Sequence, residues 1–121
     1  MKDPFRYFRV QSVGDVTLVK PTKADFLSQV ANVEMKKELV DYARRTQPRK
    51  VLVTLENIKR FSTEFIGNLL SMKKVLGPNA AVKLCSMEPM HREVFDMLKL
   101  TGTVFEIYDS QDEALESFRE E

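Results

Sequence analysis

Short apolar runs alternate with amphipathic stretches along the chain. Two runs rich in β-branched and aromatic residues stand near the beginning, separated by a turn signal at Gly14, and they predict an antiparallel hairpin that stops at Pro21. Two later runs are almost entirely apolar, which is typical of strands covered on both faces, as in a parallel sheet. The predicted strands are residues 5–10, 16–19, 51–55, 81–85 and 103–108.

Four other stretches carry apolar residues three or four positions apart, a spacing that places them on one face of a helix. The first is predicted to begin at an N-cap on Asn32, after a mostly irregular segment at residues 21–32. The second opens at Ser62 or Thr63 and ends at Gly77. The predicted buried faces are Met35, Leu39, Tyr42 and Ala43; then Phe65, Ile66, Leu69, Leu70, Val75 and Leu76; then Met90, Val94, Met97 and Leu98; and finally Ala114, Leu115 and Phe118.

The predicted element order is β-β-α-β-α-β-α-β-α. Strands that alternate with helices need crossover connections, and such connections produce a mostly parallel sheet. The expected fold class is therefore α/β, with a single mostly parallel sheet and an antiparallel N-terminal strand. A length of 121 residues suits one domain, so residues 1–121 are predicted to form a single domain.

Composition and charge argue against several classes of function. The formal net charge of +1 provides no electrostatic case for nucleic-acid binding. No stretch approaches the about 20 apolar residues that a membrane-spanning helix needs. The charged start at residues 1–4 does not resemble a secretory signal, so a cytoplasmic protein is expected. The segment from Asp109 onward, with six acidic residues and one basic residue, is interpreted as a solvated last helix.

Side chains that carry catalysis are scarce. The four glycines lack the spacing of a phosphate-binding loop, and one cysteine cannot build a multi-cysteine metal site, so no metal or cofactor is expected. Cys85 is predicted to be inert in a buried strand. His91 is predicted to be a surface or helix-start residue rather than a general base. Met87, Met90 and Met97 either fill the core or form an adaptable contact surface.

The most suggestive feature is a pair of hydroxyl side chains at a strand-to-helix junction, Ser62 and Thr63, followed by Glu64. One hydroxyl serves as an N-cap in the simpler interpretation. In the other interpretation the junction is a phosphorylation switch. A helix N-terminus can hold the added charge of a phosphate, so phosphorylation would change the surface more than the fold.

At this junction the sequence resembles STAS domains, the sulfate transporter and anti-sigma factor antagonist modules. Residues 51–58, VLVTLENI, followed by residues 61–70, FSTEFIGNLL, are similar to the family's buried strand, short loop and helix-opening motif, Asp-Ser-Ser/Thr-Gly-Leu-Gly. The likeness continues through residues 82–85, 90–98, 100–108 and 112–115. It thus covers nearly the whole chain in the same element order.

The resemblance implies a regulatory protein–protein interaction module and not an enzyme. In bacterial members, the unphosphorylated antagonist binds an anti-sigma factor that is also a serine kinase; phosphorylation releases it, and a phosphatase resets it. Alignment through Gly67 places Thr63 at the phospho-acceptor position and Ser62 at the position of the motif's Asp. Glu64 then stands at the second hydroxyl position, and Phe65 at the first glycine. The contact surface implied is Lys59, Arg60, Ser62, Thr63, Glu64 and Phe65, with Thr63 and Ser62 as candidate phosphorylation sites.

Two alternatives stay open at this point. The first is a non-switching STAS scaffold subunit of a larger signalling assembly, in which Glu64 acts as a permanent charge. The second is a small-ligand binder or enzyme at the carboxyl edge of the sheet. Its candidate polar groups are Lys23, Lys59, Arg60, Glu64 and Glu88. A homodimer is compatible with all of these hypotheses.

Overall fold

The computed structural model describes residues 5–120 of the chain; residues 1–4, predicted not to form a secretory signal, and residue 121 lie outside this range. The described part contains seven strands and four helices. In chain order they are β1 Phe8–Val13, β2 Val16–Pro21, β3 Asp25–Phe26, α1 Gln29–Thr46, β4 Lys50–Thr54, β5 Arg60–Phe61, α2 Thr63–Leu76, β6 Ala81–Cys85, α3 Pro89–Met97, β7 Glu106–Tyr108 and α4 Gln111–Arg119.

Five strands form the main sheet in the order β1-β2-β4-β6-β7. β1 pairs antiparallel with β2, from Phe8 opposite Pro21 to Val13 opposite Val16. All other pairs in this sheet are parallel. The predicted α/β class, with one antiparallel N-terminal strand on a mostly parallel sheet, is confirmed. β1 begins three residues later than predicted, and β7 is shorter than predicted.

Helices cover both faces of the main sheet. Along β4, Val51 and Val53 pack in the core beneath α1, α2 and α3, whereas Leu52 packs in a second cluster with Phe118 of α4. This two-sided burial explains why residues 51–55 are almost entirely apolar, with Thr54 as the exception. The loop after β4 lies at the carboxyl edge of the sheet, where parallel α/β sheets form their sites.

The segment before α1 is more ordered than predicted. β3 pairs in parallel with β5 to form a separate two-stranded sheet. α1 begins at Gln29, and its N-cap is Ser28, whose hydroxyl accepts a hydrogen bond from the Ala31 N–H. The prediction of an N-cap at Asn32 is therefore wrong, because Asn32 lies inside the helix and is buried.

The face of α3 that meets the core is rotated from the one predicted, and of the four predicted residues Val94 alone packs, partly buried, against the core. Met90, Met97 and Leu98 are 66%, 80% and 47% exposed. The buried side chains of this helix are His91 and Phe95. The physical reason is that two aromatic rings fit the aromatic cluster beneath α3, so the flexible apolar side chains are left at the surface.

α4 closes the other face of the sheet. Its N-cap Ser110 accepts a hydrogen bond from the Glu113 N–H at 3.1 Å, and the Ser110 hydroxyl donates to the Glu113 carboxylate at 3.3 Å. Beneath this helix the Lys83 ammonium is buried, donates to the Ser117 hydroxyl at 2.9 Å and lies 4.3 Å from the centre of the Phe118 ring. Hydrogen bonding and cation–π contact compensate for the burial of this charge.

Candidate functional site

The candidate site is the segment from Lys59 to Glu64, which includes β5 and the first turn of α2. The Lys59 N–H donates to the Ala24 carbonyl at 2.7 Å, and the Ser62 N–H donates to the Phe26 carbonyl at 3.2 Å. These backbone bonds fix the segment against β3. The site therefore lies on the two-stranded sheet of β3 and β5 and on the first turn of α2, and not on a free loop.

Thr63 is the first residue of α2, and its side chain is exposed. Among the described residues, no hydrogen bond of its hydroxyl is found. Ser62 occupies the N-cap position without forming a side-chain cap bond. The first N–H groups of α2 therefore lie beside an accessible hydroxyl and have no side-chain acceptor.

The Ser62 hydroxyl, by contrast, faces inward. It accepts from the Asn32 side-chain amide at 3.3 Å and donates to the Phe26 carbonyl at 3.4 Å. The two hydroxyls thus differ in their surroundings, because only that of Thr63 is both exposed and unbonded. This difference favours Thr63 over Ser62 as a modification site.

A buried pair of amides connects α1 to α2 behind the site, and the sequence analysis missed both in this role. Asn32 Nδ2 donates to the Phe26 carbonyl at 2.8 Å. Asn68 Nδ2 donates to the Asn32 carbonyl at 2.9 Å and to Asn32 Oδ1 at 3.3 Å. One signal was present, because Asn32 precedes Met35 and Leu39 on the apolar stripe of α1. The pair holds the start of α2 against α1 and β3.

We expect Asn32→Ala to lower the free energy of unfolding by about 1–3 kcal/mol, because it removes a donor to Phe26 and an acceptor for Asn68 in a buried place. The measurement is urea unfolding of the purified protein. The matched control is Gln29→Ala in the exposed first turn of α1, which is expected to stay within about 0.5 kcal/mol. Equal midpoints for the two variants would contradict the structural role of Asn32.

The charged residues of the site are exposed, and two of them are paired. Lys59 lies 3.5 Å from Glu88, and Arg60 lies 2.6 Å from Asp25. Exposed pairs of this kind contribute little to stability. Glu64 is exposed and has no ion-pair partner within residues 5–120. Lys59, Arg60, Thr63 and Glu64 are thus accessible, as a contact surface requires.

Phe65 is not accessible, and its predicted place on the contact surface is wrong. Its side chain is fully buried. The ring centre lies 5.0 Å from that of Phe26 and 5.4 Å from that of Phe61. The reason is helical spacing, since the residue two positions after Thr63 turns toward the core while Thr63 faces solvent.

His91 connects α3 to the site. It begins a helix as predicted, but it is buried rather than at the surface. Its ring lies 4.6 Å from that of Phe61, and its Nε2 lies 3.1 Å from the Lys59 carbonyl oxygen. Because a carbonyl only accepts, Nε2 carries the proton and donates it. His91 therefore anchors the backbone before Thr63.

Cys85 lies at the end of β6, fully buried on the α4 side of the sheet. Burial raises the pKa of its thiol. A thiol that is both protonated and shielded from solvent is a weak nucleophile, in agreement with the prediction of inert packing.

A cavity of about 460 Å³ lies at the carboxyl edge of the sheet. It is lined by Glu56, Ser86, Met87, Asp109, Ser110, Gln111 and Asp112. None of the five polar residues predicted for a small-ligand site lines this cavity, so the structure does not bring them together there. Within residues 5–120, no group of His, Cys, Asp and Glu has the geometry to hold a metal ion. No helix in the same range is long and apolar enough to cross a membrane.

Comparison with known proteins provides matches among solved structures. No family model matches the sequence, and no curated protein matches it either. An anti-sigma-factor antagonist (STAS) domain protein from Planctomyces limnophilus superposes with a TM-score of 0.78 at 24% identity, covering 93% of this chain and 97% of that one. An anti-sigma factor antagonist from Mycobacterium paratuberculosis superposes with a TM-score of 0.79 at 16% identity, covering 93% and 92%.

A third relative has been solved in two states. The anti-sigma factor antagonist SpoIIAA in its unphosphorylated form matches with a TM-score of 0.63 at 15% identity, covering 93% of this chain and 97% of that one. The phosphorylated form of this Bacillus cell fate determinant matches with a TM-score of 0.60 at 16% identity, covering 93% and 99%. Sheet order, helix placement and these superpositions agree, and the chain has the STAS fold of anti-sigma factor antagonists.

Proposed function

We propose that this chain is a regulatory binding module that docks on an anti-sigma factor with serine/threonine kinase activity and is switched by phosphorylation at Thr63. The observation that carries the proposal is the exposed, unbonded hydroxyl of Thr63 at the start of α2. On the STAS fold this is the position that the sequence resemblance assigns to the phospho-acceptor. A matching phosphatase would reset the switch, and the cycle would run in the cytoplasm.

The local chemistry supports a switch that leaves the fold unchanged. A phosphate on Thr63 would add about −1.5 to −2 charge. The helix N-terminus carries a partial positive charge and N–H groups without a side-chain cap, both of which favour an anion there. SpoIIAA, which has this fold, exists in both phosphorylated and unphosphorylated forms.

The proposed contact surface is Lys59, Arg60, Ser62, Thr63 and Glu64. The surface holds two exposed ion pairs, and the Glu64 carboxylate, which has no ion pair within residues 5–120, follows Thr63 directly in the chain. New negative charge at Thr63 would change the potential of this surface, because Arg60 and Glu64 lie within three residues of it in the chain. Electrostatic mismatch at an interface can cost several kcal/mol, so one phosphate suffices to release a partner.

One observation favours a second candidate function, a scaffold that binds its partner constitutively. Glu64 is exposed beside Thr63 and has no ion pair within residues 5–120. It would supply a permanent negative charge next to the acceptor position. In a scaffold of this kind, Thr63→Ala leaves the affinity for the partner unchanged.

The test is to incubate the chain with ATP and each anti-sigma kinase encoded beside its gene, and to locate phosphate by mass spectrometry. The expected product carries one phosphate on the peptide that contains Thr63. Thr63→Val is expected to abolish the modification, and Ser62→Ala is expected to retain it. If no kinase binds the chain or modifies this peptide, the switch is refuted.

A further inference from the structure

A groove separates α1 from α2 and opens beside Thr63. Its volume is about 330 Å³. The groove is lined by Asn32, Val33 and Lys36 of α1 and by Glu64, Gly67, Asn68 and Ser71 of α2. Because Asn32 and Asn68 are buried and bonded to each other, they form a fixed floor. The walls are therefore held at a constant separation.

Gly67 has no side chain, so the α2 wall of this groove does not project at this position. A Cβ added at Gly67 would have no atom within 4 Å, apart from the neighbouring residues and the backbone of α2 itself. Its φ is not in the left-handed region, so the backbone does not require glycine. Glycine inside a helix weakens that helix relative to alanine. Internal packing thus gives no reason for glycine here, whereas an open groove does.

The α1 wall offers one exposed apolar side chain, Val33, and basic side chains farther along the helix. Val33 is 47% exposed. A second cavity of about 290 Å³, lined by α1 residues alone, shares Lys36 with the groove and reaches Arg44. Lys36, Lys37 and Arg44 are exposed and have no ion pair within residues 5–120. Asp41, the acidic residue among them, is 2.8 Å from Arg45 and thus already paired.

We propose that the groove between α1 and α2 binds an amphipathic helix of the partner protein, with small apolar side chains over Gly67 and acidic side chains toward Lys36, Lys37 and Arg44. The proposal rests on the proposed function and names the chemistry of its partner. From Val33 to Arg44 the α1 wall spans about 16 Å, or three helical turns. Val33 and Gly67 supply the apolar surface above the amide floor, and the basic rim suits the acidic flank of a helix bound in the groove.

The location of the groove connects it to the switch. Glu64 lines the groove and is the neighbour of Thr63 in the chain. A phosphate on Thr63 would place a second negative group at this end. An acidic helix would then be repelled, whereas the fold that holds the groove would stay intact. The charge of the partner thus explains how phosphorylation releases it.

The experiment uses the full chain and a synthetic 15-residue stapled helix with alanine and leucine on one face and glutamate on its flanks. Titration followed by amide NMR is expected to shift the signals of Val33, Lys36, Gly67 and Ser71. A peptide with lysine in place of each glutamate is expected to bind at least tenfold more weakly. No shifts at millimolar peptide, or shifts confined to α3, would overturn the proposal.

Variants sharpen the result. Gly67→Ala is expected to raise the urea midpoint of unfolding and yet to weaken peptide binding at least fivefold, a combination that damage to the fold cannot produce. Lys36→Glu with Lys37→Glu should weaken binding tenfold, and Lys20→Glu on β2 should not change it.

Binding to phosphatidylglycerol vesicles without binding to the peptide would assign the groove to a lipid surface and refute the helix. Because the peptide replaces the kinase, failure here leaves the phosphorylation of Thr63 separately testable.

Discussion

Thr63→Glu is expected to weaken binding to the partner kinase at least tenfold, equivalent to about 1.4 kcal/mol of binding free energy. The carboxylate places a fixed negative charge where the proposed phosphate would lie, beside the exposed Glu64. Isothermal titration calorimetry of the purified pair measures the change. The fold is expected to tolerate the substitution, because Thr63 is exposed and an acidic residue in the first turn suits a helix N-terminus.

Thr63→Val is the matched control for this prediction, because it removes the hydroxyl without adding charge. Its affinity is expected to remain within about twofold of the parent, which corresponds to less than 0.5 kcal/mol. Equal affinities for the Glu variant, the Val variant and the parent chain would refute the switch and favour the constitutive scaffold.

Phe65→Ala is expected to lower the free energy of unfolding by about 3–5 kcal/mol. The side chain is fully buried between Phe26 and Phe61, so its removal leaves a cavity where β3, β5 and α2 meet. Urea unfolding measures the loss, and Thr63→Ala in the same turn serves as the exposed control, with a change within about 0.5 kcal/mol. A loss below about 1 kcal/mol for Phe65→Ala would show that this cluster is not part of the core.

The position of Phe65 explains a departure from the STAS motif. The motif has glycine at this place, and the resemblance implied that Phe65 belongs to the contact surface. In the structure the ring instead occupies an aromatic cluster that includes Phe26, Phe61 and, through Phe61, His91. The departure therefore strengthens the support beneath the site and leaves Thr63 accessible.

The sequence predicts two parts of the fold best. These are the strands that are covered on both faces of the sheet and the helix starts whose N-cap bonds lie within one turn. Residues 51–55 and 81–85 are apolar except for Thr54 and Lys83 and show no polar alternation, which is typical of central parallel strands. Ser110 and Glu113 satisfy each other within one helical turn. Thr63 was placed correctly at the start of α2 for the same reason, because helix-opening signals depend on neighbouring residues only.

Features that depend on distant contacts were not predictable in this way. β3 and β5 have two residues each, so their pairing depends on tertiary context rather than on a sequence period. Asn32 has the residue type of an N-cap, but Ser28 caps α1, and Asn32 lies inside the helix where its amide bonds Phe26 and Asn68. The spacing of Met90 and Met97 defines a helical face but not whether that face meets the core or solvent.

The most direct measurement is the amide NMR spectrum of the chain before and after stoichiometric phosphorylation of Thr63, together with the urea midpoint of both forms. Shift changes are expected only in residues 57–68 and along the groove-facing side of α1, with the strands β4 and β6 unchanged and the midpoints equal. Widespread changes in β4 and β6, or loss of the folded spectrum, would contradict the claim that charge at Thr63 alters docking without altering the fold.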